Sequence, residues 1–280
     1  LNLQSTGNAL AFGNLSDTFG YVSGYASHTR AVFSCNYNDP AALNTLEFIT
    51  IATQGNSTDF GDRTVVVYEN GALSNETRGL VGGGYDGSGS GAPNNTETID
   101  FNTIASLGNS TDFGDLTLGR RGLCGLASPT RGVFAAGYQQ PSTGTKTNVI
   151  DFVTIASAGN ASNFGDLVTA RWGVSPASSA TRGIFAGGAT PSEVDSMEFI
   201  TIASTGDTTD FGDLTQNSGR GAGTSDSIRG VFKIGYVPST GQNTLEFVTI
   251  ATTGNATNFG DSISKVHSAG MTSDAHGGLS

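Results

Sequence analysis

Three histidines, His28, His267 and His276, are all the imidazole this chain offers for acid–base work or metal binding. None has a second histidine at i+2 or i+4, the spacings that put two rings on one face of a strand or helix. Cys35 and Cys124 stand alone, without the paired spacing of a metal knuckle. They read as buried, reduced thiols acting as small hydrophobes, not as a disulfide. Serine and threonine abound, yet there is no G-x-S-x-G elbow. A Gly-rich phosphate loop with its lysine is also missing. The stretch "GNSTDFGD" at 55–62 is richer in oxygen donors. Ca²⁺ takes six to eight oxygens, but the D-x-D-x-D-G spacing is absent. The N-x-[ST] triplets at Asn56, Asn109, Asn160 and Asn255 would be glycan acceptors in a secreted eukaryotic protein, and read more simply as turns. These residues predict no catalysis, no metal and no cofactor.

What must be positioned is therefore a scaffold, and "GNSTDFGD" is its marker. It recurs unchanged at 108–115, as "GNASNFGD" at 159–166, "GDTTDFGD" at 206–213 and "GNATNFGD" at 254–261, with a worn copy, "GNALAFGN", at 7–14. A second landmark keeps the same beat: "TRAVF" at 29–33, "TRGLV" at 77–81, "TRGVF" at 130–134, "TRGIF" at 181–185 and "IRGVF" at 228–232, with "HGGLS" at 276–280. A third is an apolar run such as "LEFITIAT" at 46–53 or "MEFITIAS" at 197–204. Fifteen of the sixteen phenylalanines fall in these three columns, which is core placement once per unit.

Each unit reads as four short strands. In the fourth copy these are "RWGVSPASS" (171–179), small and suited to a crowded inner position, then "TRGIFAGG" (181–188), "MEFITIAS" (197–204) and "TDFGDLT" (209–215). A strand apolar on both faces must be covered on both faces. Radial stacking of four-stranded sheets achieves this. The predicted fold is thus all-β: a single six-bladed β-propeller domain of four-stranded antiparallel blades over 1–280. Its blades are placed at about 20–62, 67–115, 120–166, 171–213 and 219–261. The sixth is shared by the termini, 265–280 plus 1–14. That composite blade lacks any counterpart of residues 187–199.

The Gly83-Gly84 and Gly187-Gly188 doublets, the Arg120-x-Gly122 and Arg171-x-Gly173 triplets, and an aromatic in the outer strand resemble a kelch-type propeller. The outer aromatic is Phe instead of the usual Trp, and the doublet is broken at Ala136-Gly137 and Ile234-Gly235. The Asp-boxes of sialidase-type propellers and the His, Tyr and Cys cluster of copper-radical kelch oxidases are absent. The repeat "TRGVFAGGY…NTIEFVTIASTGNATDFGDLT" also resembles repeats of virion structural and tail-fibre-like proteins of marine cyanobacterial phages. That resemblance spans essentially the whole chain and implies a structural or adhesive part of a virion, extracellular, contacting other virion proteins or a host surface glycan. A freestanding multivalent lectin-like protein is the alternative, and a longer parent chain or a homo-oligomer is compatible with either.

Net charge is −11, with 13 Lys and Arg in all. Neutralising phosphates needs clustered basic residues, so nucleic acid and anionic lipid are not expected partners. No apolar run approaches the ~20 residues of a membrane-spanning helix. The repeated charges are expected to pair within blades as Arg30–Asp62, Arg78–Asp115, Arg131–Asp166, Arg182–Asp213 and Arg229–Asp261. The expected contact face carries Tyr37, Tyr85, Tyr138 and Tyr236, just after the second strand, with Ala189 in the fourth copy. The loops that follow vary most: 86–97, 139–147 and 237–242. Tyr presents a flat ring and a polar tip to a sugar; capping of the blade edge is the plainer role for the same rings.

Overall fold

The computed structural model describes residues 1–87, 94–139, 145–237 and 240–279. The chain forms a β-propeller of five four-stranded antiparallel blades. In blade 1 the inner, second, third and outer strands are Ser23–Ala26, Arg30–Asn38, Ala41–Thr50 and Thr58–Asp62. Blade 2 uses Gly71–Ser74, Arg78–Gly82, Thr98–Thr103 and Thr111–Asp115. Blade 3 uses Cys124–Ala127, Arg131–Ala135, Val149–Thr154 and Ser162–Asp166. Blade 4 uses Ser175–Ser178, Arg182–Ala186, Ser196–Thr201 and Thr209–Asp213. Blade 5 uses Ala222–Ser225, Arg229–Lys233, Thr240–Thr249 and Thr257–Val266. The only helix among the described residues is the 3₁₀ turn Gly277–Leu279.

The core lies between blades. Phe60 of the outer strand is buried, edge-on to Phe48 of its own blade, and shares a cluster with Ala72, Val81 and Ile104 of blade 2. Gly61 beside it is needed: a Cβ there would lie 2.4 Å from the Gly108 carbonyl oxygen of the next blade's corner.

That corner explains the repeat. Its asparagine accepts the backbone N–H that closes the preceding outer strand: Asp62 to Asn109, Asp115 to Asn160, Asp166 to Asp207 (aspartate replacing asparagine) and Asp213 to Asn255, at 3.0 to 3.1 Å. The series continues through the N-terminal segment, with Asp261 to Asn8 at 2.9 Å and Asn14 to Asn56 at 3.0 Å. Backbone bonds accompany it: Gly7 N–H to Phe259 O, and Gly55 N–H to Phe12 O.

The sixth blade expected from the termini does not form. Residues 1–14 carry no strand, and the C-terminal segment ends in the 3₁₀ turn. The third strand joins the inner pair of strands to the outer strand, and the termini lack most of it, so no four-stranded sheet can assemble. The two segments instead fill the place between blades 5 and 1. Residues 7–14 stitch the two rims as above. On the inside, Ser268 donates its N–H to Arg220 O, and Gly270 packs against Val22 and Ser23. The Gly277–Leu279 turn then crosses the far end of the inner strands, with Gly277 against Ser178 and Ser179 and Gly278 against Ser74. His276 there shares hydrogen bonds with Ser74 Oγ and Ala26 O, both 3.0 Å.

The five expected Arg–Asp pairs are also corrected. Arg30 lies opposite Thr50, whereas Asp62 lies opposite Thr45 at the other end of the third strand. Five residues of extended chain separate the two by about 16 Å. The corner begins near the arginine, but its strand carries the aspartate away. Each arginine instead lies over the phenylalanine of its own third strand: Arg30 on Phe48, Arg78 on Phe101, Arg131 on Phe152, Arg182 on Phe199 and Arg229 on Phe247, at 4.3 to 5.0 Å. From there it donates to a carbonyl of the adjoining blade: Ile104, Ile155, Ile202 and Ile250 in turn, and for Arg229 to Leu3 of the N-terminal segment.

The buried ion pairs use other residues. Every third strand carries one acid (Glu47, Asp100, Asp151, Glu198, Glu246), and all five are buried. Arg63, Arg120 and Arg171, from the linkers between blades, pair with Asp100, Asp151 and Glu198 at 2.9, 3.0 and 2.7 Å. Among the described residues Glu47 and Glu246 pair with no arginine; Ser16 and Ser57 serve the first and Thr215 the second.

A charge-assisted hydrogen bond and a ring contact are lost together in Arg131→Ala. The expected cost is about 2 kcal/mol. A double-mutant cycle with Asp166→Ala should show no coupling, and chemical denaturation of the four proteins measures it. His276 gives a pH signature. Burial holds its pKa down at about 4, against an ordinary 6.5. Between these values the unfolded chain binds a proton that the folded chain does not, so stability falls as pH drops from 6.5 to 4. Thermal melts at pH 7 and 4.5 should show a smaller acid loss for His276→Gln than for the parent protein.

Candidate functional site

The inner strands begin on one face of the ring, and the chain reaches them from the linkers through one repeated backbone position. Tyr21, Glu69, Gly122, Gly173, Arg220 and Ser268 occupy it, with φ of 53 to 65°. Their backbones are hydrogen-bonded in series: Gly122 N–H to Glu69 O, Gly173 to Gly122, Arg220 to Gly173 and Ser268 to Arg220. Left-handed backbone is free to glycine and costs other residues about 1–2 kcal/mol. Two copies use glycine. Tyr21, Glu69 and Arg220 carry large side chains here, and these three line the mouth of the central channel together with Trp172.

The residue before this position pairs with the tyrosine column expected from sequence. Gly20 bridges Tyr37, Tyr68 bridges Tyr85, Trp172 bridges Ala189 and Gly219 bridges Tyr236. Arg121 pairs with Tyr138 in a two-residue ladder. Rings missing from one member are supplied by the other: Trp172 stands where Ala189 leaves the column empty. A crown of rings results. Tyr37 and Tyr21 centroids are 5.7 Å apart, Tyr37 and Tyr68 4.8 Å, and Tyr68 and Tyr85 5.4 Å. Arg121 continues the series, 4.2 Å from the Tyr85 ring and 5.8 Å from Tyr138. Tyr138 meets Trp172 at 4.6 Å, and Arg220 lies 4.4 Å over Trp172. The fourth expected tyrosine, Tyr236, stands with His267 at 5.5 Å. The tyrosine and tryptophan rings of the crown are half-buried, and His267 is exposed.

Charge is concentrated at the mouth. Glu69 lies 3.5 Å from Arg121, its side chain 10% exposed. That separation is too long for a hydrogen bond. Its Oε2 is buried with no hydrogen-bond partner. Burial raises the Glu69 pKa, and the guanidiniums of Arg121 and Arg220 oppose the rise. Burial also pushes the Tyr68 hydroxyl up to about 12, helped by Glu69. His267 is held down by burial, then by Arg220 and Lys233. Lys233 is itself lowered to about 8 by burial, its ammonium donating to Ile234, Gln242 and Val266 carbonyls.

Below the mouth the inner strands enclose a cavity of about 160 Å³, which extends to His276 beside the C-terminal turn. Its walls are small residues such as Gly71, Ala72, Gly125 and Ala177. Cys35 and Cys124 are free, buried thiols; burial raises both, Cys124 to about 12. Among the described residues no three His, Cys, Asp or Glu side chains come together. Of the loops expected to vary, 88–93, 140–144 and 238–239 lie outside the described residues.

No protein-family model matches the chain, and no curated protein matches it.

Glycine is the residue this backbone position favours, and the Glu69 carboxylate is poorly satisfied. Glu69→Gly should therefore stabilise the fold by about 1 kcal/mol, read as a higher urea midpoint at unchanged m-value.

Proposed function

We propose that this propeller is a non-enzymatic recognition module that binds glycans through the crown around its channel mouth. One observation carries the reading: three large side chains, Tyr21, Glu69 and Arg220, occupy left-handed positions that relax with glycine, and all converge on the same opening. Strain held against an available relief points to a use for the side chain. The crown has the chemistry of a sugar site, with flat ring faces for C–H surfaces and tyrosine hydroxyls, guanidiniums and a carboxylate for hydroxyls. The expected platform of Tyr37, Tyr85, Tyr138 and Tyr236 is part of it, extended by Tyr68 and Trp172.

The kelch-like features and the likeness of the repeat to phage virion proteins support placing the module at a particle surface, as an adhesive or structural part in contact with a host glycan or with neighbouring virion proteins. A freestanding multivalent lectin would use the same face. One ring site would bind weakly, and several copies on one particle would gain by avidity.

The test is a glycan array probed with the wild-type protein and with a Tyr68→Ala, Trp172→Ala double variant. Binding that drops at least tenfold in the double variant, with an unchanged thermal melt, is the expected result. Equal binding by both proteins moves the contact surface off the crown.

A further inference from the structure

We infer that the channel mouth selects an acidic pyranose, a sugar carrying a carboxylate such as a uronic acid. The inference rests on the glycan reading and narrows it.

Two groups at the mouth are left unsatisfied by the protein. Among the described residues the Arg220 guanidinium has a ring beneath it, Trp172 at 4.4 Å, but no hydrogen-bond acceptor and no ion-pair partner. A guanidinium stacked on an indole keeps its edge donors free for a planar carboxylate, the geometry it binds best. Across the opening, Glu69 Oε2 is buried without a hydrogen bond, with Arg121 Nε facing it at 3.5 Å. It calls for a hydroxyl. Tyr21 lines the same opening, and its ring offers a surface for the C–H face of a six-membered ring. A carboxylate, a hydroxyl and an apolar ring face on one small molecule describe an acidic sugar.

The local charge supports the sign. Arg121 and Arg220 outnumber Glu69 among the charged side chains of the crown, in a chain whose net charge is −11. A positive opening in an acidic molecule attracts anions to that opening alone. The positive φ of Glu69 and Arg220 adds an independent point: the two unsatisfied groups are the charged ones held in left-handed backbone, at 60° and 53°.

Isothermal titration calorimetry of the whole chain with tetragalacturonic acid and with neutral galactotetraose separates the possibilities. The acidic oligomer should bind at least tenfold more tightly in 150 mM salt. Arg220→Gly, which suits the backbone and keeps the fold, should weaken the acidic oligomer at least tenfold more than the neutral one and so remove that preference. Glu69→Gly should weaken both oligomers. Equal affinity for the two sugars in the wild-type protein overturns the acidic-sugar inference while the crown still stands as a glycan site. Absence of binding to either, with no hit on the glycan array, overturns both readings. An acid preference that survives Arg220→Gly overturns the assignment of Arg220.

Discussion

The asparagine at each corner is the interaction on which the ring depends. Blades of a propeller are separate sheets, and van der Waals contact between sheets is poorly directional. A side-chain amide that accepts the last N–H of the preceding outer strand fixes the rotation of one blade against the next, once per unit. The Phe in the same corner fills the seam thus defined, and the Gly permits the backbones to approach. The arginine of the second strand applies a second stitch on the same side of the ring, carried by its phenylalanine shelf. The buried acid of the third strand ties the linker on the opposite side. Three polar stitches per seam explain why so low a charged content, 13% of residues, is spent so largely on repeated positions.

Regularity on one face leaves freedom on the other. The corner face is occupied by near-identical residues, whereas the crown face varies from blade to blade at the left-handed position, at the residue before it and in the loops. The crown can therefore be rebuilt without touching the seams. Its variable side chains project from a rigid ladder of backbone hydrogen bonds, which holds them better than a loop tip would.

The sequence carried the strands, their order and the inter-blade role of Phe60 and Gly61, because these rest on columns repeated in every unit. It misled where a column was read without its direction. Asp62 belongs to the corner by sequence but lies at the far end of its strand, so Arg30 cannot reach it. The blade count failed for a related reason: the termini hold the sixth copies of the corner and of Arg220's position, but little of the third strand that would join them into a sheet. Those copies gave the period correctly and the sheet wrongly. The crown was half visible. The tyrosines after the second strand form a column, whereas Tyr68, Arg121 and Trp172 share a place but not a residue type. A site built from unlike residues leaves no periodic trace. Glu69 and Arg220 could have been noticed as the only charged residues aligned with Gly122 and Gly173.

The N-terminal strip has a consequence for how the molecule comes into being. Residues 7–14 bond to Gly55 on one side and to Phe259 on the other. Their first partner is made almost at once, and the second only some 200 residues later along the chain. At ~5–20 residues per second the ring stays open for tens of seconds during synthesis, with the outer edge of the strip unpaired throughout. Closure is then the longest-range event in folding, and it comes after the blades themselves. A nascent arc of three or four blades presents the same edge to any other arc nearby. In a cell making many copies at once, the strip of one chain can meet the fifth blade of another before its own; the two blades are identical, so only the higher effective concentration within one chain favours self-closure.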